Sequence, residues 1–109
     1  MSSHESNSWH FLTNHAQVLL CIESDPDARL RDIAETVGVT DRAAQRITND
    51  LVEAGYVTRE RVGRRNRYRV DRSEPMRHPA QREHAIGELL GLLSSNGDRS
   101  RRGSTGSLK

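Results

Sequence analysis

Apolar residues recur with the three- and four-residue spacing of amphipathic α-helices in four stretches of the chain. The first stretch follows Thr13, a predicted N-cap, and ends near Ser24. The second spans 31–37, the third lies within 39–55, and a fourth is expected over 80–94. Since only a short turn separates the second from the third, the pattern predicts a helix-turn-helix.

The third predicted helix has the clearest boundaries. Thr40 can accept hydrogen bonds from the first free backbone N–H groups, and Gly55 can adopt the left-handed conformation that ends a helix. Small and apolar residues share one side of this helix: Ala43, Ala44, Ile47, Leu51 and Ala54. Polar residues share the other side: Arg42, Gln45, Arg46 and Asn49. The helix therefore has one face for packing and one for contact with a partner.

After this helix the spacing changes to the two-residue alternation of β-strands. Residues 56–62 and 67–71 are predicted to be the strands of a hairpin, and 63–66 is predicted to be its four-residue loop. The tyrosine and valine of the second strand are expected to face the core. Upstream, the segment 28–30 is expected to form a short extended piece after the first helix.

The predicted hairpin is rich in arginine, with seven arginines between residues 59 and 72. A four-residue loop would pair Val62 with Arg67 and would place Glu60 opposite Arg69. A glycine, Gly63, would let the tip approach a phosphate backbone closely.

The last predicted helix begins near Pro79 and carries an apolar stripe. Four residues form the stripe: Ile86, Leu89, Leu90 and Leu93. Leu92 and Ala85 widen it. One interpretation packs the stripe against the first helix of the same chain, and the other buries it in an isologous homodimer through the first and last helices.

The length of 109 residues allows one domain, which we expect at 9–94, between a disordered N-terminus at 1–8 and a disordered basic tail at 95–109. The longest apolar run is only five residues, which predicts no membrane partner and a cytoplasmic protein. Residues 1–55 carry four arginines against nine acidic residues, whereas residues 56–109 carry thirteen basic against six acidic residues. This asymmetry indicates that the second half faces a polyanion.

The candidate chemistry is recognition rather than catalysis. Arg, Gln and Asn side chains match the hydrogen-bonding edges of bases in a DNA major groove, so the polar face of the third helix is a candidate reading surface. The five histidines and one cysteine lack metal-ligand spacing, and no catalytic arrangement is evident, so we expect no metal, no cofactor and no enzymatic activity. Cys21 is expected to be buried and unreactive, and Trp9 to cover the core.

The segment LRDIAETVGVTDRAAQRITNDLVEAGYVTRERVGRRNRYRV, residues 30–70, resembles the winged helix-turn-helix transcriptional regulators of the MarR type. The shared features are an Ile/Leu-Ala helix, a Gly-Val-Thr turn, a helix ending before Gly-Tyr-Val, and a wing with Gly and Arg at its tip. The resemblance implies an α+β winged helix-turn-helix fold, with a three-helix core, a β-hairpin wing and a C-terminal helix. It also implies sequence-specific binding to double-stranded DNA, usually as a dimer, and a bacterial protein associated with the nucleoid.

In such regulators the third helix enters the major groove and the wing lies on phosphate or in the minor groove. The resemblance thus assigns to the groove Arg42, Ala43, Gln45, Arg46 and Asn49, with Thr40 fixing the helix start. It assigns to the wing Arg64, Arg65 and Arg67. An alternative remains, in which the winged helix is a protein-protein interaction module whose hairpin and last helix dock a partner such as the transcription machinery. The acidity of residues 1–55 keeps this alternative open, and the salt dependence of DNA binding would distinguish the two.

Overall fold

The computed structural model describes residues 9–93, which form four α-helices and a two-stranded antiparallel hairpin. The elements are α1 (Asn14–Ser24), α2 (Leu30–Val37), α3 (Asp41–Glu53), β1 (Val57–Val62), β2 (Arg65–Val70), a 3₁₀ turn (Pro79–Gln81) and α4 (Ile86–Leu93). The predicted α+β fold is confirmed. The predictions of disorder at 1–8 and 95–109 lie outside the described residues.

Both predicted N-caps are present. The Thr13 hydroxyl accepts a hydrogen bond from the Ala16 N–H at 3.1 Å, and the Thr40 hydroxyl accepts one from the Ala43 N–H at 3.0 Å. At the other end of α3, Gly55 has a φ of 90°, the left-handed conformation that the sequence predicted. The start and stop of the third helix are therefore set by local sequence.

The core lies where the three N-terminal helices meet the hairpin and α4. Its buried apolar residues are Val18, Leu19, Ile22, Ile33, Ile47, Leu51, Tyr56, Val57, Tyr68, Ile86 and Leu90. Thr48 is also fully buried, which its polar hydroxyl does not suggest. The hydroxyl donates a hydrogen bond to the Ala44 carbonyl at 2.8 Å, so its burial leaves no unsatisfied group.

The prediction that 28–30 forms a short extended piece is wrong at Leu30, which already belongs to α2. The residue before it, Arg29, is extended, with a φ of −81° and a ψ of 152°. One backbone hydrogen bond joins this region to the hairpin, from the Tyr68 N–H to the Pro26 carbonyl at 3.1 Å. A single bond does not make a ladder, so the sheet has two strands in the described part of the chain.

The hairpin turn is shorter than predicted. Val62 pairs with Arg65, which leaves only Gly63 and Arg64 in the turn. The φ of 63° at Gly63 is in the left-handed region, which tight hairpin turns require and glycine adopts without strain. The prediction of a four-residue loop is therefore wrong, because Arg65 and Asn66 are polar enough for a loop but pair with β1 as part of the returning strand.

The shorter turn moves the register by two residues, so Glu60 pairs with Arg67 instead of Arg69. A shift of two residues preserves which side chains share a face. Accordingly Tyr68 is buried and Val70 is half-buried, as the alternation predicted.

The last helix begins at Ile86, not near residue 80 as predicted. Residues 84–87 instead run beside the segment after β2: the Met76 N–H donates to the His84 carbonyl at 3.0 Å, and the Ile86 N–H donates to the Glu74 carbonyl at 2.8 Å. The His84 carbonyl and the Ile86 N–H are therefore not available for the hydrogen bonds of an earlier helical turn. The predicted end at Ser94 lies outside the described residues.

A short side-chain network caps the start of α4. The Glu88 carboxylate accepts the Ala85 N–H at 3.2 Å and lies 2.9 Å from Nδ1 of His84. The hydrogen bond and negative charge of Glu88 raise the pKa of His84, and the same hydrogen bond lowers the pKa of Glu88.

One residue between the hairpin and α4 joins three parts of the fold. The Arg72 carbonyl accepts the Gly87 N–H at 2.8 Å, and the Arg72 guanidinium donates to the Gly87 carbonyl at 3.0 Å. The guanidinium also forms an ion pair with Glu23 of α1. Arg72 therefore fixes α4 against α1.

Trp9 does not cover the core, which corrects the expectation for this residue. Its side chain is 73% exposed and meets Phe11 edge to face, with ring centroids 5.1 Å apart. The expectation failed because Trp9 precedes the helical stripe that packs inward. None of the helices within residues 9–93 has both the length and the apolar character needed to cross a membrane.

Candidate nucleic-acid interface

The polar face of α3 is exposed along its length because the opposite face is packed into the core. All four polar residues predicted there are exposed: Arg42, Gln45, Arg46 and Asn49. Within residues 9–93, neither Arg42 nor Arg46 forms a side-chain hydrogen bond or ion pair. Ala43 is half-buried beside them. The two guanidinium groups can therefore offer all their donors to an external acceptor.

The other two polar residues of this face are connected to each other and to the hairpin. Nε2 of Gln45 donates to Oδ1 of Asn49 at 3.2 Å, and Nη2 of Arg59 on β1 donates to the same oxygen. Arg59 pairs with Tyr68 on β2, and its guanidinium carbon lies 5.9 Å from the centre of the Tyr68 ring. This contact links the wing to the reading face of α3.

Arg59 was not among the predicted site residues. Its contact with Asn49 joins two elements, and spacing along the chain does not reveal which strand arginine reaches the helix. The only signal was the accumulation of arginines between residues 59 and 72.

The three predicted wing residues have different surroundings. Arg64 is exposed at the tip of the hairpin. Arg65 donates to the carbonyl of Asp27, and Nε of Arg67 lies 3.4 Å from the carboxylate of the same residue. The side chains of Arg67 and Asp27 are more than half exposed, and such exposed ion pairs contribute only about 0–1 kcal/mol. A phosphate could therefore replace Asp27 at little cost.

A groove lies between the N-terminus of α2 and the hairpin. It connects the polar face of α3 with the wing. Its lining residues are Ala28, Arg29, Leu30, Gln45, Arg65, Asn66 and Tyr68. Because Gln45 belongs to α3 and Arg65 to β2, the two predicted parts of the site border one continuous concave surface.

The apolar stripe of α4 divides into an inner and an outer part. Ile86 and Leu90 are buried in the core of their own chain, and Leu89 packs partly against it. Leu93 is 43% exposed and Leu92 is 80% exposed. Of the four predicted dimer residues, two are therefore occupied within the monomer, and the outward apolar surface lies near the end of α4.

Residues 9–93 contain no group of three or more His, Cys, Asp or Glu side chains that could hold a metal ion. Cys21 is half-buried, and its burial raises the pKa of the thiol. The thiol is consequently kept in its less reactive protonated form.

A family model described as the MarR family matches residues 11–67, which is more than half of the chain. The match extends from the segment before α1 into β2 and so includes α3 and the turn of the hairpin. A comparison with curated proteins gave no match.

Proposed function

The chain belongs to the MarR family of DNA-binding transcriptional regulators, and we propose on this premise that it binds a specific sequence of double-stranded DNA. The observation that carries the proposal is the exposed polar face of α3, on which Arg42 and Arg46 have no partner within residues 9–93. Members of the family are regulators rather than enzymes, and they usually bind DNA as dimers.

In this proposal α3 lies in the major groove. Arg42 and Arg46 donate to guanine edges, for which the guanidinium fork has matching geometry, while Gln45 and Asn49 offer amide groups to neighbouring bases. The small side chain of Ala43 lets the helix approach the bases. Thr40 acts indirectly, because its cap fixes where α3 begins.

The wing holds the DNA backbone or the minor groove in this proposal. Arg64 reaches out from the turn, while Arg65 and Arg67 exchange their contacts with Asp27 for phosphate oxygens. Such contacts position the protein without reading sequence, and each makes binding more sensitive to salt.

We propose a homodimer formed through α1 and the outer part of α4, with Leu89 and Leu93 from the predicted stripe and Leu92 beside them. Two-fold symmetry would place two α3 helices on half-sites about 34 Å apart, one turn of DNA. Sedimentation at micromolar concentration tests this arrangement. Wild type should sediment as a dimer and Leu92→Asp/Leu93→Asp as a folded monomer, whereas a wild-type monomer would contradict the proposal.

One observation favours the alternative of a protein-interaction module: Phe11 and Leu92 are large apolar side chains that are at least four-fifths exposed. In that function the hairpin and α4 would dock a protein partner. Affinity would then change little with salt, whereas neutralisation of phosphates makes DNA affinity fall steeply as salt rises.

The deciding experiment selects bound sequences from random duplexes with the full chain, and then measures affinity for the selected and a shuffled duplex. Arg46→Ala should cost about 1–3 kcal/mol on the selected duplex and much less on the shuffled one. Arg82→Ala is the control, because it removes the same charge from the exposed turn before α4. Equal losses on both duplexes would show that Arg46 contacts only phosphate, and selection of no sequence would overturn the proposed function.

A further inference from the structure

The amide of Asn49 has a defined orientation because of its neighbour on the hairpin. A guanidinium group has donors and no acceptor, so the atom of Asn49 that faces Arg59 must be the carbonyl oxygen. The same oxygen accepts Nε2 of Gln45 at 3.2 Å. Two donors therefore occupy the acceptor of Asn49, and its NH₂ group remains to contact a base.

Arg59 is itself held in place by the hairpin. It pairs directly with Tyr68, whose ring is buried and lies 5.9 Å from the guanidinium carbon. The strand begins with Val57, which is buried in the core. Arg59 thus extends from an anchored strand across an aromatic face, which favours a cation, to the side of α3.

This arrangement changes which base Asn49 can read. Adenine offers a donor and an acceptor in the major groove, so its recognition requires both halves of an amide, whereas guanine offers two acceptors. Asn49 has only its donors free. Gln45 still has its own carbonyl oxygen and a second N–H, so it keeps the pattern that adenine requires.

We propose that Arg59 is a specificity-determining positioning residue, which fixes the Asn49 amide so that α3 reads guanine rather than adenine at the base facing Asn49. This inference rests on the proposed function. It assigns sequence preference to a wing residue that need not touch a base.

The experiment compares the sequences selected from random duplexes by wild type, Arg59→Ala and Arg61→Ala. Arg61 is the matched control because it lies on the same face of β1, carries the same charge and donates to the Gly63 carbonyl rather than to α3. Asn49→Ala identifies the base in question as the one whose preference it abolishes. At that base, wild type and Arg61→Ala should favour guanine over adenine about tenfold, and Arg59→Ala should reduce this ratio to threefold or less.

Two further variants test the contact between Arg59 and Asn49. Arg59→Lys has donors and no acceptor, as arginine does, so it should retain more of the guanine preference than Arg59→Ala. Asn49→Asp keeps the acceptor for Arg59 but loses the NH₂ donors, so its preference should move to cytosine, which offers a donor. Circular dichroism verifies that each variant is folded.

The possible results are distinct. Identical selected sequences for Arg59→Ala and Arg61→Ala, with equal losses of affinity, would overturn the inference and leave the proposed function intact. An adenine preference of wild type at the base identified by Asn49→Ala would also overturn it. If wild type selects no sequence, the proposed function itself fails.

Discussion

Replacement of Gly87 by alanine tests how α4 is fixed to the rest of the fold. The added methyl group would lie 2.8 Å from both Cβ and the carbonyl oxygen of Arg72, so the backbone must move. In a helix, alanine stabilises the folded state by at most about 1 kcal/mol relative to glycine. Overpacking costs about 1–3 kcal/mol, and a weaker hydrogen bond between Gly87 and Arg72 costs about 0.5–1.5 kcal/mol. We therefore expect the free energy of unfolding to fall by about 1–3 kcal/mol.

Gly91 provides a matched control on the same helix. Among residues 9–93, a methyl group there would meet only Nη2 of Arg72 at 3.3 Å, and the end of a flexible side chain can move. Gly91→Ala should consequently raise the free energy of unfolding by about 0.5–1 kcal/mol. Urea denaturation followed by circular dichroism measures both variants, at two protein concentrations so that dimer dissociation is recognised. Equal stabilisation by the two alanines would refute the contact between Arg72 and α4.

Three further predictions concern the wing, the cysteine and the cap of α4. Replacing Arg64 and Arg65 together by alanine should weaken binding to every duplex and reduce the slope of log affinity against log salt by about two, one unit for each phosphate. Cys21 should react slowly with a thiol reagent in the native protein and rapidly in denaturant, because burial raises its thiol pKa. The raised pKa of His84 should add stability that is complete below the ordinary pKa of histidine and is lost as pH rises through the raised pKa. The lowered pKa of Glu88 should add stability that is lost as pH falls through the lowered pKa. In thermal unfolding, Glu88→Gln should remove the pH dependence due to Glu88 and most of that due to His84, whose pKa Glu83 also raises to a smaller extent.

A specific result would contradict each of these predictions. An unchanged salt slope in the double arginine variant would mean that the wing does not contact DNA. Rapid labelling of native Cys21 would contradict the protection of the thiol by burial and would favour a redox role for it. If wild type and Glu88→Gln change stability equally with pH, the cap of α4 does not depend on His84.

Elements with local signals were predictable from the sequence. Thr13, Thr40 and Gly55 act on backbone groups within a few residues, so the boundaries of α1 and α3 needed no knowledge of the fold. The exposed face of α3 was predictable for the same reason, since helical spacing separates Arg46 from Ile47.

Features that depend on contacts between distant segments were not predictable. The start of α4 depends on hydrogen bonds to the segment containing Glu74, and helical spacing carries no information about them. The turn at Gly63 could not be distinguished from a longer loop, because Arg65 and Asn66 are as polar as turn residues. The contact between Arg59 and Asn49 required both the register of the hairpin and its packing beside α3.

The hairpin also has a consequence for the behaviour of the protein at high concentration. Five of the six residues of β1 are exposed, so a two-stranded ribbon projects from the core. Within residues 9–93 its backbone edges are open apart from the hydrogen bond between Tyr68 and Pro26. Such edges can pair with the strands of other molecules and start aggregation, and charged side chains along them prevent this. The arginines of the ribbon therefore keep neighbouring copies apart through mutual repulsion, and neutral substitutions made to study DNA binding should also make the protein less soluble.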